Sequence, residues 1–364
     1  MAHAIGMKEI ALQAGVSLAT VDRVLHRRPG VRPATQRRVH QAQVELDRQQ
    51  AQVGLQGRRF LVDLVMETPE RFSRIVRDAL DDVVRQMHPA VFRVREHLAE
   101  TMAIDELVGV LDAIGRRGSH GVLLKAPDVA PVNEAVTRLH ERGIPVVTLV
   151  TDIHHPARVA YVGLDNRSAG LTAAYLMHHW LGAETADVLV SSSDRRFLGE
   201  GERIAAFVEG WKRMRPLSRV RIVTAGHGLH DPTVAAVSRL LARHPDVAAT
   251  YSVGGANAGI LAAFDRAGRP CRVFIGHDLD DDNLALLRAR RLSAVLHHDL
   301  HRDLQRACRC VMHAQRAGPP LEPSPRSNVE VITPFNLPAA SAVAPTIPAV
   351  DFPGTERRAG TVRR

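Results

Sequence analysis

Nine lysine and arginine side chains fall within residues 1–58 (Lys8, Arg23, Arg27, Arg28, Arg32, Arg37, Arg38, Arg48 and Arg58), against four acids, Glu9, Asp22, Glu45 and Asp47. The whole chain of 364 residues carries a formal charge of +9, so more than half of the excess lies in this short segment. Such a density of cations suits a polyanion such as DNA, and charge alone fits a solubilising terminus as well. The other chemistry-bearing patterns lead less far. Nineteen histidines include the pairs His154-His155, His178-His179 and His297-His298, none at zinc-motif spacing from Cys or carboxylates. Cys308 and Cys310 project to different sides of a helix and Cys271 stands apart, an unpaired set that suits a reducing compartment. Gly254-Gly255-Ala256-Asn257-Ala258-Gly259 is glycine-rich like a phosphate loop, yet lacks both the Gly-Lys-Ser ending and the GxGxxG spacing. With no nucleophile–base set either, neither a metal, a cofactor nor an enzymatic activity is expected.

The elements that must carry the basic residues are short helices. Met7, Ile10, Ala11 and Ala14 recur on one helical face. Gly15 can take a left-handed turn and Ser17 can cap a second helix, on which Val21, Val24 and Leu25 share the inner face. The opposite face gathers Ala19, Asp22, Arg23 and His26. Pro33 opens a third helix, predicted from Thr35 to Leu46, with Val39, Ala42 and Leu46 inward. Two helices joined by a short glycine turn form the unit whose second helix enters the DNA major groove, and a small packing unit without a DNA role has the same periodicity.

Residues 59–334 alternate apolar, β-branched runs with amphipathic segments. Strands are predicted at 60–66, 90–96, 121–126, 145–150, 158–164, 186–192, 219–225, 247–253, 271–277 and 293–298. Buried strands alternating with helices predict parallel sheets covered on both faces, an α/β architecture. No helix intervenes between Val150 and Arg158, which predicts the crossover between two lobes there. Two open α/β lobes bring strand C-termini to a shared cleft, where small ligands bind. No run of about 18 apolar residues occurs, so no membrane span is expected. The start MAHAIGMKEIA has no long apolar stretch of the kind a secretory signal needs, and a cytoplasmic location follows as the expectation.

The stretch MKEIALQAGVSLATVDRVLHRRPGVRPATQRRV resembles, almost position by position, the DNA-binding headpiece of the lac repressor (LacI/GalR) family. The turn Ala14-Gly15-Val16-Ser17, then Thr20-Val21, Arg23-Val24-Leu25 and Thr35 through Val39 carry the likeness, and the two-lobe pattern downstream is similar to that family's periplasmic-binding-protein-like sensor. The resemblance implies a helix-turn-helix domain at 1–49, a hinge at 50–58, a two-lobe small-molecule domain at 59–338 and a disordered tail at 339–364. It implies that Leu18 and Ala19 choose operator bases, that Arg23 contacts a base and that Ser17 and Thr20 contact phosphates, with His26 on the same face. A guanidinium fork fits guanine O6 and N7, which agrees with Arg23. Asp22 replaces a small polar residue and needs a cation, Arg23 or Arg27, to neutralise it beside phosphate. The hinge departs from the family's Tyr-x-Pro-Asn element; here the sequence is LDRQQAQVGLQGRR, and Leu55 is the candidate wedge between base steps.

The same resemblance puts ligand contacts on the loops after the strands: Arg203, Asp278, His298, and less directly Asp152 and Asn257. A carboxylate accepts two hydroxyls and an arginine donates to ring or hydroxyl oxygens, so the set suits a sugar or polyol. Phe72 and Phe197 could stack on such a ligand, or simply fill the core. Arg203 could instead pair with Glu200 or Glu202 on its helix, and Asp278 could cap the helix that follows. The implied function is a repressor, a homodimer on a near-palindromic operator, controlled by a small effector. A solute-binding protein without a transcription role and a regulator answering to a protein partner are the other readings.

Overall fold

The computed structural model describes residues 5–183, 186–224, 226–318 and 326–338; the predicted tail at 339–364 lies outside the described residues. The headpiece consists of α1 (Met7–Ala14), α2 (Leu18–Leu25) and α3 (Pro33–Leu55). Ile10, Ala11, Ala14, Val21, Val24, Val39 and Ala42 close a small core among the three helices, as periodicity selects, whereas Met7, placed on the same face by that periodicity, is 41% exposed. Gly15 takes φ 61°, ending α1 in the left-handed turn that only glycine adopts freely. Ser17 then caps α2, its Oγ accepting from the Thr20 amide at 3.2 Å.

α3 overturns two expectations. It neither ends near Leu46 nor gives way to a separate hinge, but runs 23 residues to Leu55. Gly54 in its last turn costs about 1 kcal/mol relative to alanine. Leu55 offsets this: it is 5% exposed and packs into the core of the first lobe beside Met312 and Ala317. Burying a leucine contributes about 1.5–3 kcal/mol, which wins. The predicted Leu55 wedge is therefore corrected: a side chain held in a lobe's core cannot enter a base step. Gly57, at φ 70°, turns the chain into the first strand.

The first lobe's sheet is β1 (Arg59–Glu67), β2 (Val91–Ala99), β3 (Gly121–Lys125), β4 (Val146–Leu149) and β5 (Ala160–Val162), in the order β2-β1-β3-β4-β5 with every pairing parallel. Helices α4 (Glu70–Gln86), α5 (Ile104–Arg117) and α6 (Ala130–Glu141) cover it. The second lobe's sheet holds β6 (Asp187–Ser192), β7 (Val220–Thr224), β8 (Val247–Ser252), β9 (Val273–His277), β10 (Ala294–His297) and β11 (Glu330–Ile332). Its order is β11-β10-β9-β8-β6-β7, parallel except for β11, which runs antiparallel to β10. Around it stand α7 (Asn166–Trp180), α8 (Leu198–Met214), α9 (His230–Arg243), α10 (Asn257–Arg266) and α11 (Asp281–Arg288). Apolar clusters line both faces of each sheet, as parallel sheets require.

All ten predicted strands are present, and three-residue β11 is the addition. The crossover is corrected. The helix-free link after β4 leads to β5, which pairs with β4 in the same sheet. The chain changes lobes just afterwards, at Gly163 and Leu164, so that α7 packs on α8 in the second lobe. It returns once more: α12 (Leu300–Ala314) buries Leu304, Ala307, Cys308 and Val311 in the first lobe's core. That approach is close enough that a Cβ at Gly121 would lie 2.7 Å from both methyls of Val311. A third passage brings Ser327 into a bridge with Leu164 on the way to β11.

One buried charge belongs to the first sheet alone. Asp63, fully buried on β1, accepts from Arg95 at 2.6 Å, His97 at 3.1 Å and Arg117. Burial raises its carboxyl, but hydrogen bonds from Arg95, Ser119, His97 and Arg117 outweigh this and hold it below the usual aspartate value.

Candidate DNA-reading face and interlobe cleft

α2 buries Val21 and Val24 against α1 and α3 and leaves the other face to solvent. Ser17, Leu18, Ala19, Arg23 and His26 are exposed, and Thr20 is half-buried with its hydroxyl 2.9 Å from that of Ser17. The partner of Asp22 differs from expectation. Arg28 donates to its carboxylate at 2.8 Å, and the His26 ring sits 3.0 Å from the other oxygen. Neither Arg23 nor Arg27 takes part. The acid is neutralised from its own helix end, and Arg23 forms no ion pair among the described residues, so its fork stays available on the outer face.

The cleft lies where both sheets reverse strand order, β1 and β3 facing β6 and β8 across it. From the first lobe come Glu67, Phe72, Glu100, Lys125 and Thr151; from the second come Ser193, Phe197, Glu200, Arg203, His227 and Asp278. The lobes touch at several points. The Gly199 amide donates to the Thr151 hydroxyl at 3.0 Å, and the Asp128 amide to the Arg196 carbonyl at 2.9 Å. Arg71 reaches across to Asp280 at 3.1 Å, and Arg74 to Asp281 at 2.6 Å. Gly255 makes room for the first of these: a Cβ there would meet the Arg71 guanidinium at 2.3 Å. The glycine-rich run around it thus makes room for a lobe contact. Burial pushes the Asp280 carboxyl up to about 6 despite Arg71.

Two predicted ligand residues line the cleft. Arg203, on α8, is 4% exposed. Its Nε donates to Asn166 Oδ1 at 2.8 Å and its Nη1 to the Val253 carbonyl at 3.3 Å, so it is no solvated helix charge. Glu200 and Glu202, its alternative partners, accept instead from Ser193 and Asn166. Asp278 holds φ 63° just after β9, a left-handed conformation uncommon outside glycine. The cap of α11 is Asp280, whose carboxylate accepts from the Asn283 amide at 2.8 Å. The Asp278 carboxylate, free of that task, has no protein hydrogen bond among the described residues.

Three others lie elsewhere and are corrected. Asp152 is buried behind the cleft wall, accepting from Thr148 at 2.7 Å, from the Ile153 amide and from Arg158 at 2.6 Å; its neighbour Thr151 is the one that lines the cleft. Asn257 supports the α11 loop by donating to Asn283 Oδ1 at 2.7 Å. His298 is 2% exposed at the passage between lobes, its Nδ1 2.6 Å from Asp303. Asp152 and His298 thus have filled structural positions, while Asn257 keeps its Oδ1 buried without a hydrogen-bond partner.

Residues 6–47 match the family described as bacterial regulatory proteins, lacI family, and residues 70–301 match the periplasmic binding protein domain family. The chain belongs to the periplasmic binding protein domain family, behind a lacI-family DNA-binding headpiece. Over 212 residues it is 29% identical to the HTH-type transcriptional regulator reg1 of Streptomyces lividans, covering 56% of this chain and 57% of that protein. Over 188 residues it is 27% identical to the ribose import binding protein RbsB of Bacillus subtilis (strain 168), covering 50% of this chain and 58% of that one. The chain thus spans less than two thirds of either curated relative. The solved glucose-galactose binding protein GanP of Geobacillus stearothermophilus superposes with a TM-score of 0.67 over 77% of this chain and 99% of that one, at 19% identity, a likeness of fold. No helix among the described residues is long and apolar enough to cross a membrane.

In this periplasmic-binding-protein-family domain the cleft also holds groups that the sequence reading passes over. Glu67 and Lys125 are the last residues of β1 and β3, the positions where an α/β sheet presents its ligands, and strand ends alone could have named them. Burial pushes the Lys125 ammonium down to about 8; its Nζ donates to the Glu67 carbonyl at 2.7 Å and lies 4.2 Å from the centre of the Phe197 ring. Burial also raises the carboxyls of Glu67 and Glu200. His227, by contrast, follows β7 in a loop that no periodicity marks.

Proposed function

We propose that the chain is a cytoplasmic transcription repressor that binds near-palindromic operator DNA as a homodimer and is controlled by a small sugar or polyol in the interlobe cleft. The observation that carries the reading is the outer face of α2, where Leu18, Ala19 and Arg23 stand exposed beside an ion-paired Asp22. In this reading the face enters the major groove, Arg23 reads a guanine, and Ser17 and Thr20 hold phosphates. Arg203 and Asp278 grip ligand hydroxyls, with Phe72 and Phe197 beside them, and the mixture of donors and acceptors suits a neutral polyhydroxylated molecule better than a fully charged one. The relatives' names, a transcription regulator and a ribose import binding protein, support the two halves of this reading. Closure of the lobes then alters the headpiece only through a difference in ligand affinity between lobe arrangements. No catalytic role is assigned to the cleft. The test is selection of operator sequences from random duplexes by the full chain, followed by anisotropy titrations with and without pentoses, hexoses and sugar alcohols. An enriched palindrome and a sugar that shifts its affinity are expected; recovery of no consensus sequence would overturn the reading.

A further inference from the structure

We propose that Glu67, Asp194 and His227 form a binding site for a divalent transition cation, with zinc the best fit, that ties the two lobes together at one edge of the cleft. Their ligand atoms lie within 4.8 Å of one another. Glu67 comes from the end of β1 in the first lobe, and Asp194 and His227 follow β6 and β7 in the second. Glu67 is the decisive member. It is 2% exposed, yet its Oε2 has no hydrogen-bond partner, and a buried acceptor left so carries a desolvation cost unless something satisfies it. An imidazole with two carboxylates is a borderline donor set that suits zinc, with positions left open on the cleft side.

The geometry also shows what fills the role of counter-cation without a metal. The Arg196 guanidinium lies 2.6 Å from Asp194 and 3.8 Å from Glu67. Its backbone carbonyl is held by the Asp128 amide across the cleft, while its side chain is about a third exposed and can swing into solvent. Metal and guanidinium therefore compete for the same two carboxylates. His227 is 3.7 Å from Asp194 and adopts φ 47°, between glycines at φ 83° and 72°. A Cβ at Gly226 would lie 2.6 Å from the Thr233 hydroxyl, so the loop is pressed against the start of α9, and the imidazole is held towards the carboxylates.

Isothermal titration of zinc into the full-length, chelator-treated protein tests this without DNA or sugar, so the result stands apart from the regulatory reading. One tight equivalent is expected. His227→Asn, which keeps a residue tolerant of the left-handed backbone, and Glu67→Gln should each weaken it at least tenfold, while Arg196→Ala should tighten it several-fold. Binding unchanged in His227→Asn, lost instead in a His178→Ala/His179→Ala double variant, or absent altogether would overturn the proposal. Melting curves in chelator identify a misfolded Glu67→Gln, in which case His227→Asn and Arg196→Ala decide.

Discussion

Asp22 and Arg23 are adjacent on α2, yet one is bound and the other free. Because Arg28 and His26 hold Asp22, the Arg23 fork faces outward unencumbered. Arg23→Ala should weaken operator binding by about 1–3 kcal/mol and relax preference at one base pair, with random duplex affected less, as competition anisotropy would show. In the cleft, Asp278→Gly should abolish the effector response while leaving ligand-free operator binding within a few fold. It should not lower the melting temperature, since Asp280 caps α11 and glycine accepts φ 63° without strain. A variant that still responds fully to effector would sink the role of Asp278. Single residues are the level at which the sequence is least legible. Arg203, early on α8, and Asp278, just after β9, can be named through the family resemblance, but Asp152 and Thr151 differ by one position and exchange wall for cleft. His298 shows the same limit: a polar residue after a strand reads alike whether it meets a ligand or a buried Asp303.

Elements are legible where periodicity is strong and misread where an end is decided by a distant partner. All ten predicted strands exist: the central ones are continuous apolar runs that two helical layers cover, while the edge strands β2 and β7 carry Arg93, Arg95 and Arg221 among their apolar residues and are only partly buried. α3 outruns its prediction because Leu55 finds its burial in residues more than 250 positions away, around Met312. Leu55→Ala should therefore destabilise the first lobe by about 2–3 kcal/mol in urea unfolding of the full chain. A minor-groove wedge would instead leave stability unchanged and weaken operator binding alone. Within β1, Asp63→Asn should cost about 1.5–3 kcal/mol at neutral pH through lost charge-assisted hydrogen bonds. Since the folded-state pKa of Asp63 lies below its unfolded value, its contribution is complete above about pH 4 and fades as pH falls further. The difference between wild type and Asp63→Asn in melting temperature should accordingly shrink below that pH.

At the scale of the molecule, the charge excess and the helix-turn-helix coincide in residues 1–58, and operator affinity should fall steeply with salt while a chain beginning at Arg59 retains none. The lobe contacts carry a second expectation. Arg71→Ala removes the guanidinium that Gly255 accommodates and Asp280 neutralises, so small-angle scattering should record a larger radius of gyration than wild type. An unchanged radius would assign lobe contact to the Arg74–Asp281 ion pair and the Thr151–Gly199 and Asp128–Arg196 hydrogen bonds. The return of α12 to the first lobe has a consequence for how the protein is made. The last strand of the first sheet leaves the ribosome at Val162, yet Leu304, Cys308 and Val311, which close one face of that sheet, are synthesised only after the whole central part of the second lobe. Domains commonly fold in order of synthesis, at about 5–20 residues per second. Here the nascent first lobe must wait with Phe60, Leu64 and Met66 partly uncovered until α12 emerges, so the lobe begun first is closed only after five strands of the second have been made, and chains stalled before Leu300 present a sticky apolar sheet face to chaperones.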